Sequence, residues 1–215
     1  MMESLFPPTM RWRTLRVEGA SLEKYRGLPA VEQQLVARAV DKRKAEFGDA
    51  RWCAHRALEE LGVPAEVPIL RGEKGMPLWP EGFSGSLSHT EGLRAAVVAP
   101  RSAATAVGLD IEPAEPLPAG VLDSIALPRE KQAVAAWRQG GAEWADRLLF
   151  CTKEATYKAW FPLTQRWLGF EEAEIVLHPG GTFEALILAR PAPVPFFRGR
   201  WKVAGGYCYA AITVR

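Results

Sequence analysis

The sequence has few cysteines, and they are far apart. Cys53, Cys151 and Cys208 are odd in number, and each lies within an apolar run. This spacing argues against a disulfide framework and against a zinc site. It is typical of a protein kept in a reducing compartment, so we expect a cytoplasmic location.

Signals for export, membrane insertion and polyanion binding are also missing. No stretch reaches the roughly 18 apolar residues typical of a membrane span, and the start, MMESLFPPTMRW, lacks a basic segment followed by an apolar one. Lysine and arginine total 27 against 25 acidic residues, so the net charge of +2 gives no strong field. We therefore expect no membrane or nucleic-acid partner, and any anion site must be local.

The apolar pattern predicts a mixed α+β protein. Helical spacing covers residues 31–61 with a break at Gly48-Asp49, then the segment from Pro128 to Gly140, then about 143–160 before Pro162 stops the helix. Alternating runs predict strands in GSLSHT, LRAAVVAP and TAVGLDIEP, and glycine pairs predict hairpins near residues 180 and 205. The order of helix then strands occurs twice, which predicts two α+β halves, 1–112 and 113–215, with a ligand cleft between them.

Two carboxylates stand two residues apart in VGLDIEP. Because side chains alternate along a strand, Asp110 and Glu112 should point from the same face. They repel each other unless they are solvated or bridged by a hard cation such as Mg²⁺. A solvated strand end before Pro113 is the alternative interpretation, because this short pattern is common.

A third carboxylate occupies an aromatic helix stripe in FCTKEATYKAWFP. Glu154 lies on the line of Phe150 and Phe161, where an unpaired buried carboxylate costs several kcal/mol. A surface pair with Lys158 is worth only about 0.3 to 0.5 kcal/mol, too little to explain the placement. Glu154 beside Asp110 and Glu112 would complete a Mg²⁺ site, and with Lys158 and the flanking Lys153 it would suit a phosphoanhydride substrate.

Basic and polar residues in the first half could bind phosphate. Arg43 and Arg51 interrupt a core-facing helical line, where their heads either reach water or together form a fork for a phosphate. A polar turn in GSLSHTEG offers further donors, namely Ser88, His89 and Thr90. Lys74 lies in a short loop fixed by flanking glycines, which is equally consistent with a plain solvent turn. His55 and His178 lack such neighbours and are interpreted as structural.

Together, VGLDIEP followed by FCTKEATYKAW strongly resembles the paired signature of Sfp-type 4′-phosphopantetheinyl transferases. The segments KRKAEFGDARWCAHRAL, RGEKGMPLWPEGFSGSLSHT and FPLTQRWLGFEEAEI are similar to the subgroup that contains enterobactin synthetase components and actinobacterial members. The similarity covers about residues 35 to 175. Thr90 stands where several members of that subgroup have cysteine after the serine-histidine pair, which leaves its contact with the ligand open.

The resemblance implies a monomer of two pseudo-twofold-related halves with coenzyme A in the cleft between them. By analogy, Asp110, Glu112 and Glu154 would bind Mg²⁺, with Mn²⁺ as a substitute, and Glu154, Lys158 and Asp110 would form the catalytic set. The residues expected to hold the coenzyme are Arg43, Arg51, Lys74, Ser88, His89, Thr90, Lys153 and Lys158.

The reaction implied is transfer of phosphopantetheine from coenzyme A to a serine of an apo acyl, aryl or peptidyl carrier protein, with adenosine 3′,5′-bisphosphate released. Such carriers serve fatty acid, polyketide, siderophore and other peptide synthesis. Glu154, directly or through a metal-bound water, is the candidate base for the serine proton. The segment around Leu122, Ile125, Leu127 and Arg129 is a candidate docking region, although its apolar residues could equally pack on the core.

Two other functions fit some of the same residues. Metal-dependent nucleases also combine carboxylates with a glutamate and a lysine, but there the last two usually alternate along a strand, and this chain lacks the basic groove that a polyanion needs. A coenzyme A-binding or carrier-binding module without catalysis would be expected to lack a metal ligand or a lysine, and none is missing here.

Overall fold

The chain forms two compact units. The computed structural model describes residues 2–215. One unit, here the N-unit, comprises residues 7–107 with Arg215, and the other, the C-unit, comprises residues 2–6 and 108–214. The division expected from the sequence, at residue 112, differs in two ways, because the C-unit begins at Gly108 and also includes the first residues of the chain.

The N-unit is a helix packed on a three-stranded sheet. In chain order its elements are β1 (Arg11–Arg16), α1 (Glu23–Arg26), α2 (Ala30–Gln34), α3 (Asp41–Glu59), β2 (Leu70–Arg71), β3 (Pro77–Leu78), β4 (Phe83–Thr90) and β5 (Leu93–Pro100). The sheet order is β1-β5-β4, and both pairs are antiparallel. The apolar side of α3, with Ala54 and Leu58, packs on Ala96 and Val98 of β5, so the core of this unit lies between helix and sheet.

The helical prediction for residues 31–61 is confirmed in part. Two helices form, but the break falls between Gln34 and Asp41, and α3 continues through Gly48. The structure explains this glycine by close packing, because a Cβ at Gly48 would lie only 2.5 Å from the backbone nitrogen of Tyr25. Gly48 therefore admits α1 onto the helix and does not end it.

The C-unit is a longer helix packed on a five-stranded sheet. Its elements are β6 (Ala106–Pro113), which begins in the last two residues of the N-unit, then α4 (Val121–Ile125), α5 (Pro128–Gln139), α6 (Ala145–Thr164), β7 (Ala173–His178), β8 (Thr182–Ile187), β9 (Phe196–Ala204) and β10 (Tyr207–Val214). The sheet order is β6-β10-β9-β8-β7. Leu148 and Trp160 of α6 share a buried core with Phe183 and Ile212 of the sheet.

Most of the elements predicted for this unit are confirmed. Pro128 opens α5, and the two hairpins turn at Gly180-Gly181 and Gly205-Gly206. The predicted stop at Pro162 is wrong, since α6 continues to Thr164 and ends where Gln165 takes a positive φ of 53°. A proline so near the end removes only the hydrogen bond to the carbonyl of Lys158, which a final turn tolerates.

The observed mixture of helices and antiparallel strands confirms the predicted α+β class, although β1 was not predicted. Within residues 2–215, no helix is long and apolar enough to cross a membrane.

Candidate active site

The site is built where β6 lies directly on α6. A Cβ added to Gly108 would lie 2.0 Å from the carbonyl oxygen of Ala155, so only glycine lets the strand come this close to the helix. Asp110 and Glu112 follow at two-residue steps and share the face of Gly108. The Nζ of Lys158 on α6 then donates to Asp110 Oδ1 at 2.7 Å and to the carbonyl of Leu109 at 3.1 Å. The close approach at Gly108 therefore sets the contact between Asp110 and Lys158.

The carboxylates of this region influence one another. Burial, followed by the charge of Asp110, raises the pKa of Glu112 to about 7, against the opposing effect of Arg147. The same two causes raise the pKa of Glu154 above its usual value. Burial alone would lower the pKa of Lys158, but the charge and hydrogen bond of Asp110, together with the charge of Glu154, raise that pKa. Lys158 is therefore a cation held between acids.

The balance of charge at this site is negative. Asp110, Glu112 and Glu154 give three acidic groups, and Lys158 and Arg147 give two basic ones, so the formal excess is 3 − 2 = 1 negative charge. No three acidic, histidine or cysteine side chains of residues 2–215 are gathered closely enough to form a metal-binding group. The donors are nevertheless all carboxylate oxygens, the ligands Mg²⁺ prefers, and the excess negative charge is the kind a divalent ion offsets.

Arg147 is a site residue that the sequence interpretation missed. Its guanidinium contacts Glu112 Oε2 at 3.3 Å and donates to the carbonyls of Glu115 and Pro116 at 3.2 and 3.1 Å. It therefore joins an acidic group of the site to the proline-rich connector after β6. The available signal was its spacing, because Arg147 precedes Glu154 by seven residues and so shares its face of the helix.

An aromatic pair adjoins Glu154 and was also missed. The rings of Tyr157 and Trp167 have centroids 5.0 Å apart, and Trp167 is 66% exposed, unusual for a tryptophan. Burial and the charge of Glu154 raise the pKa of Tyr157, so this ring is close to the acidic group. An apolar surface thus borders the charged one.

Lys153, which was expected to meet phosphates, does not join this cluster. Its Nζ is buried and lies 2.7 Å from the carbonyl oxygens of both Phe170 and Ala173 and 2.9 Å from Glu130 Oε2. An ammonium has three donors, and these three partners account for all of them. The side chain faces α5 and the start of β7, away from Asp110.

The N-unit brings two of the predicted phosphate residues together. Arg43 Nη1 lies 3.1 Å from His89 Nε2, and the Arg43 side chain remains about half exposed, with Glu46 3.4 Å away. Lys74 lies in a 3-10 turn between β2 and β3 with a positive φ of 52°, a conformation that lysine adopts rarely. The structure therefore gives Arg43 and His89 a shared position and Lys74 a fixed exposed loop.

Arg51 is buried, so its head does not reach water. Its Nε lies 3.1 Å from Glu32 Oε2, and the ring of Phe47 stacks on the guanidinium at 4.1 Å. Glu32, which is fully buried, also contacts His55 Nε2 at 2.7 Å and accepts from the nitrogen of Ile69. Burial lowers the pKa of Arg51 to about 10; Glu32 opposes this shift. The two arginines of the predicted fork therefore differ, because Glu32 holds Arg51.

Ser88, His89 and Thr90 all lie on β4, which confirms the strand predicted for GSLSHT, so the polar turn predicted for the same residues is wrong. Ser88 is buried, whereas His89 points to the opposite, exposed face, as alternation along a strand requires. The carbonyl of Thr90 accepts a hydrogen bond from Arg94. The candidate docking segment is also altered, because Ile125 is buried and Leu122 packs against the core, which favours the core-packing alternative for both.

Two family models and several known proteins match this chain. Residues 31–99 match the 4′-phosphopantetheinyl transferase N-terminal domain, and residues 106–212 match the 4′-phosphopantetheinyl transferase superfamily. The 4′-phosphopantetheinyl transferase PptT of Mycobacterium tuberculosis is 47% identical over 194 residues, covering 85% of this chain and 84% of that protein. The corresponding protein Npt of Nocardia iowensis is 45% identical over 215 residues, covering 92% and 95%. Enterobactin synthase component D of Salmonella typhi is 34% identical over 171 residues, covering 73% and 68%.

These matches span nearly the whole chain and include both signatures that carried the resemblance. The chain therefore belongs to the 4′-phosphopantetheinyl transferase superfamily. It is an enzyme of this transferase type.

Proposed function

We propose that this enzyme transfers the 4′-phosphopantetheine group of coenzyme A to a serine hydroxyl of an apo carrier protein, with Mg²⁺ as the metal. The serine oxygen forms a bond to the phosphorus of the phosphopantetheine phosphate. The bond from that phosphorus to the bridging pyrophosphate oxygen breaks, and that oxygen leaves with adenosine 3′,5′-bisphosphate. The observation that carries the proposal is the contact of Lys158 with Asp110 beside two further carboxylates.

Asp110, Glu112 and Glu154 are the residues that would hold the ion. When bound, Mg²⁺ neutralises negative charge on the pyrophosphate and its leaving oxygen. Lys158 supplies a fixed positive charge at the same place, held by Asp110 and the carbonyl of Leu109. Glu154 is the group we assign to accept the serine proton. Its carboxylate belongs to the same cluster, and Lys158 is the cation that acts on it.

The N-unit residues Arg43, His89 and Lys74 are assigned to the 3′-phosphate end of the coenzyme. Arg43 donates to His89 Nε2 at 3.1 Å, so the two side chains lie together, and the remaining N–H groups of the Arg43 guanidinium suit an anion. Arg51 would bind at this site only through guanidinium N–H groups that do not face Glu32, because its Nε is already paired with that carboxylate. We do not assign Ser88 a side-chain contact, since it points away from His89.

Carrier proteins are acidic helical proteins, so the surface of this enzyme that docks them should combine apolar and basic groups. Relatives of this chain include a component of enterobactin synthase, a name that links that relative to siderophore synthesis. We propose carrier proteins or carrier domains of fatty acid, polyketide or nonribosomal peptide synthesis as the partners. A monomer located in the cytoplasm is part of the same proposal.

The experiment is mass spectrometry of an apo carrier protein incubated with the enzyme, coenzyme A and Mg²⁺. Acyl, aryl and peptidyl carriers are tested side by side, with parallel reactions that contain EDTA or the Glu154→Ala variant. We expect a gain of one phosphopantetheine mass only with intact enzyme and metal. If no carrier gains mass although coenzyme A binds, the chain is a binding module; if EDTA changes nothing, the metal assignment is wrong.

A further inference from the structure

The buried contacts of Lys153 continue into a network around Glu130. Glu130 is almost fully buried on α5, and its Oε2 lies 2.9 Å from the ammonium and also accepts from the nitrogen of Leu127 at 2.7 Å. Its Oε1 accepts from the nitrogen of Ile175 on β7 at 2.7 Å. One carboxylate therefore links the start of α5, the middle of α6 and the start of β7.

Both charges of the pair are compensated inside the protein. Burial lowers the pKa of Lys153, and Glu130 opposes that change. The ammonium has three acceptors, and the carboxylate has two backbone donors as well as the lysine. No donor of Lys153 is left for a ligand, so the pair lacks the excess charge that marks the other side of the helix.

The place of the pair on α6 gives it a consequence for the site. Lys153 immediately precedes Glu154, and the two side chains leave the helix about 100° apart. On the β6 side, contact at Gly108 fixes the helix, and on the side of α5 and β7 the Lys153–Glu130 pair fixes it. A rotation or slide of α6 would have to break both contacts, and it would move Glu154 and Lys158 away from Asp110.

We propose that Lys153 and Glu130 form a buried positioning pair that holds α6 in the register needed by Glu154 and Lys158, and that Lys153 does not contact the substrate phosphates. This inference rests on the proposed function for its kinetic consequences. Its structural part is independent of that function.

The test compares Lys153→Met, Glu130→Gln and the double variant with the wild type. Lys153→Met leaves a buried carboxylate without its cation, so the thermal midpoint should fall most in that variant. In the double variant the methionine fills the volume of the lysine stem, and the amide oxygen that replaces the Glu130 carboxylate still accepts a backbone hydrogen bond. The midpoint should therefore recover by at least about half of the loss.

Kinetics distinguish positioning from ligand contact. We expect the Lys153→Met variant, assayed below its melting range, to lose about tenfold in kcat with the KM for coenzyme A changed less than about threefold. The double variant should regain most of the lost kcat. If the double variant is folded and its KM for coenzyme A stays raised by about tenfold or more, Lys153 contacts the coenzyme and the proposal is overturned.

A labelling measurement on the wild type tests the proposal even if the variants do not fold. Reductive methylation followed by peptide mass mapping should leave Lys153 unlabelled with and without coenzyme A, while the exposed Lys42 reacts in both. Rapid labelling of Lys153 that coenzyme A suppresses would overturn the proposal. Failure of the wild type to modify any carrier would instead refute the proposed function, and the melting and labelling results would still decide the role of the pair.

Discussion

The two long helices, α3 in the N-unit and α6 in the C-unit, handle buried cations in the same way. A glutamate from the preceding short helix, Glu32 or Glu130, pairs with a cation in the middle of the long helix, Arg51 or Lys153. Each glutamate also accepts from a backbone nitrogen further along the chain. In each unit, therefore, one cation on the apolar stripe is part of the internal structure.

The helices differ in what lies on their remaining polar face. On α3 the half-exposed Arg43 donates to His89 and pairs with Glu46, so the charges there are balanced. On α6, Lys158 and Arg147 meet three carboxylates, and the pKa values of Glu112 and Glu154 are raised first by burial and then by the charge of Asp110. The comparison teaches that on α6 an excess of charge, and not burial of a charged group alone, marks the side of the helix where we assign the chemistry.

The largest expected effect is on the acidic side of α6. Asp110→Asn keeps an oxygen acceptor for Lys158 but removes the charge, so we expect the transfer rate to fall by about 10²–10³. The thermal midpoint should change by only a few degrees, by roughly what a weakened partly buried pair implies. The measurement is the initial rate of carrier modification by mass spectrometry.

Glu184→Gln is the matched control for Asp110→Asn. Glu184 forms an exposed pair with Arg198 at 3.4 Å in the same unit, so its loss should leave the rate unchanged. Equal rates for Asp110→Asn and the wild type would show that the charge of Asp110 does not contribute to transfer.

The next largest effect concerns the close approach of β6 to α6 at Gly108. In Gly108→Ala the new Cβ would meet the carbonyl oxygen of Ala155, and backbone atoms cannot yield as a flexible side chain can. We expect the free energy of unfolding to fall by about 3 kcal/mol, with transfer reduced because β6 moves off the helix. Denaturant unfolding and the transfer rate provide the two measurements.

Gly180 offers a control glycine with open space around it and no positive φ. Gly180→Ala should leave both stability and transfer close to the wild type. A Gly108→Ala protein as stable as that control would show that the strand and helix do not need this contact.

A smaller effect is expected from the internal pair of α3. Glu32→Gln leaves the buried Arg51 without a counter-charge while preserving an acceptor, so the free energy of unfolding should fall by about 2 kcal/mol. Glu46→Gln, which removes the acidic partner of the half-exposed Arg43, should change stability by less than about 0.5 kcal/mol. Stability is measured by denaturant unfolding. Similar losses in the two variants would mean that the Glu32–Arg51 pair does not stabilise its unit as the Glu130–Lys153 pair does.

The smallest effect concerns the connector next to the acidic side. Arg147→Gln removes donors to the carbonyls of Glu115 and Pro116, a loss of about 1 kcal/mol that corresponds to roughly fivefold faster local opening. Limited proteolysis should therefore cleave residues 113–120 about fivefold faster than in the wild type when opening is rapid and reversible. Arg129→Gln, at an exposed arginine, serves as the control, and equal cleavage of the two variants would contradict the connector role.

Local patterns in the sequence were sufficient for most of the fold. Period-two runs and glycine pairs fixed the hairpins of the C-unit, and Pro128 marked the start of α5, because these features depend on neighbours in the chain. Gly48 and Pro162 misled, because a glycine or proline also serves tertiary packing and helix ends. The same-face placement of Asp110 and Glu112 followed from strand geometry and is what the structure shows.

The roles of the cations could not be read from local patterns. Lys153 and Lys158 are five residues apart on one helix, and both interrupt apolar positions. What separates them is the partner, Glu130 for one and Asp110 for the other, each supplied by a distant segment. A buried glutamate such as Glu32 carries no local signal, because only the fold shows that it is fully enclosed.

The most direct test of the central claim applies the same substitution on both sides of α6. Glu130→Gln and Glu154→Gln are compared by thermal midpoint and by the rate of carrier modification per folded molecule. The account predicts that Glu130→Gln lowers the midpoint and loses no more than about tenfold in rate, whereas Glu154→Gln leaves the midpoint unchanged or higher and loses about 10² or more in rate. A Glu154→Gln enzyme that transfers at the wild-type rate, or a Glu130→Gln enzyme that is fully stable but inactive, would contradict it.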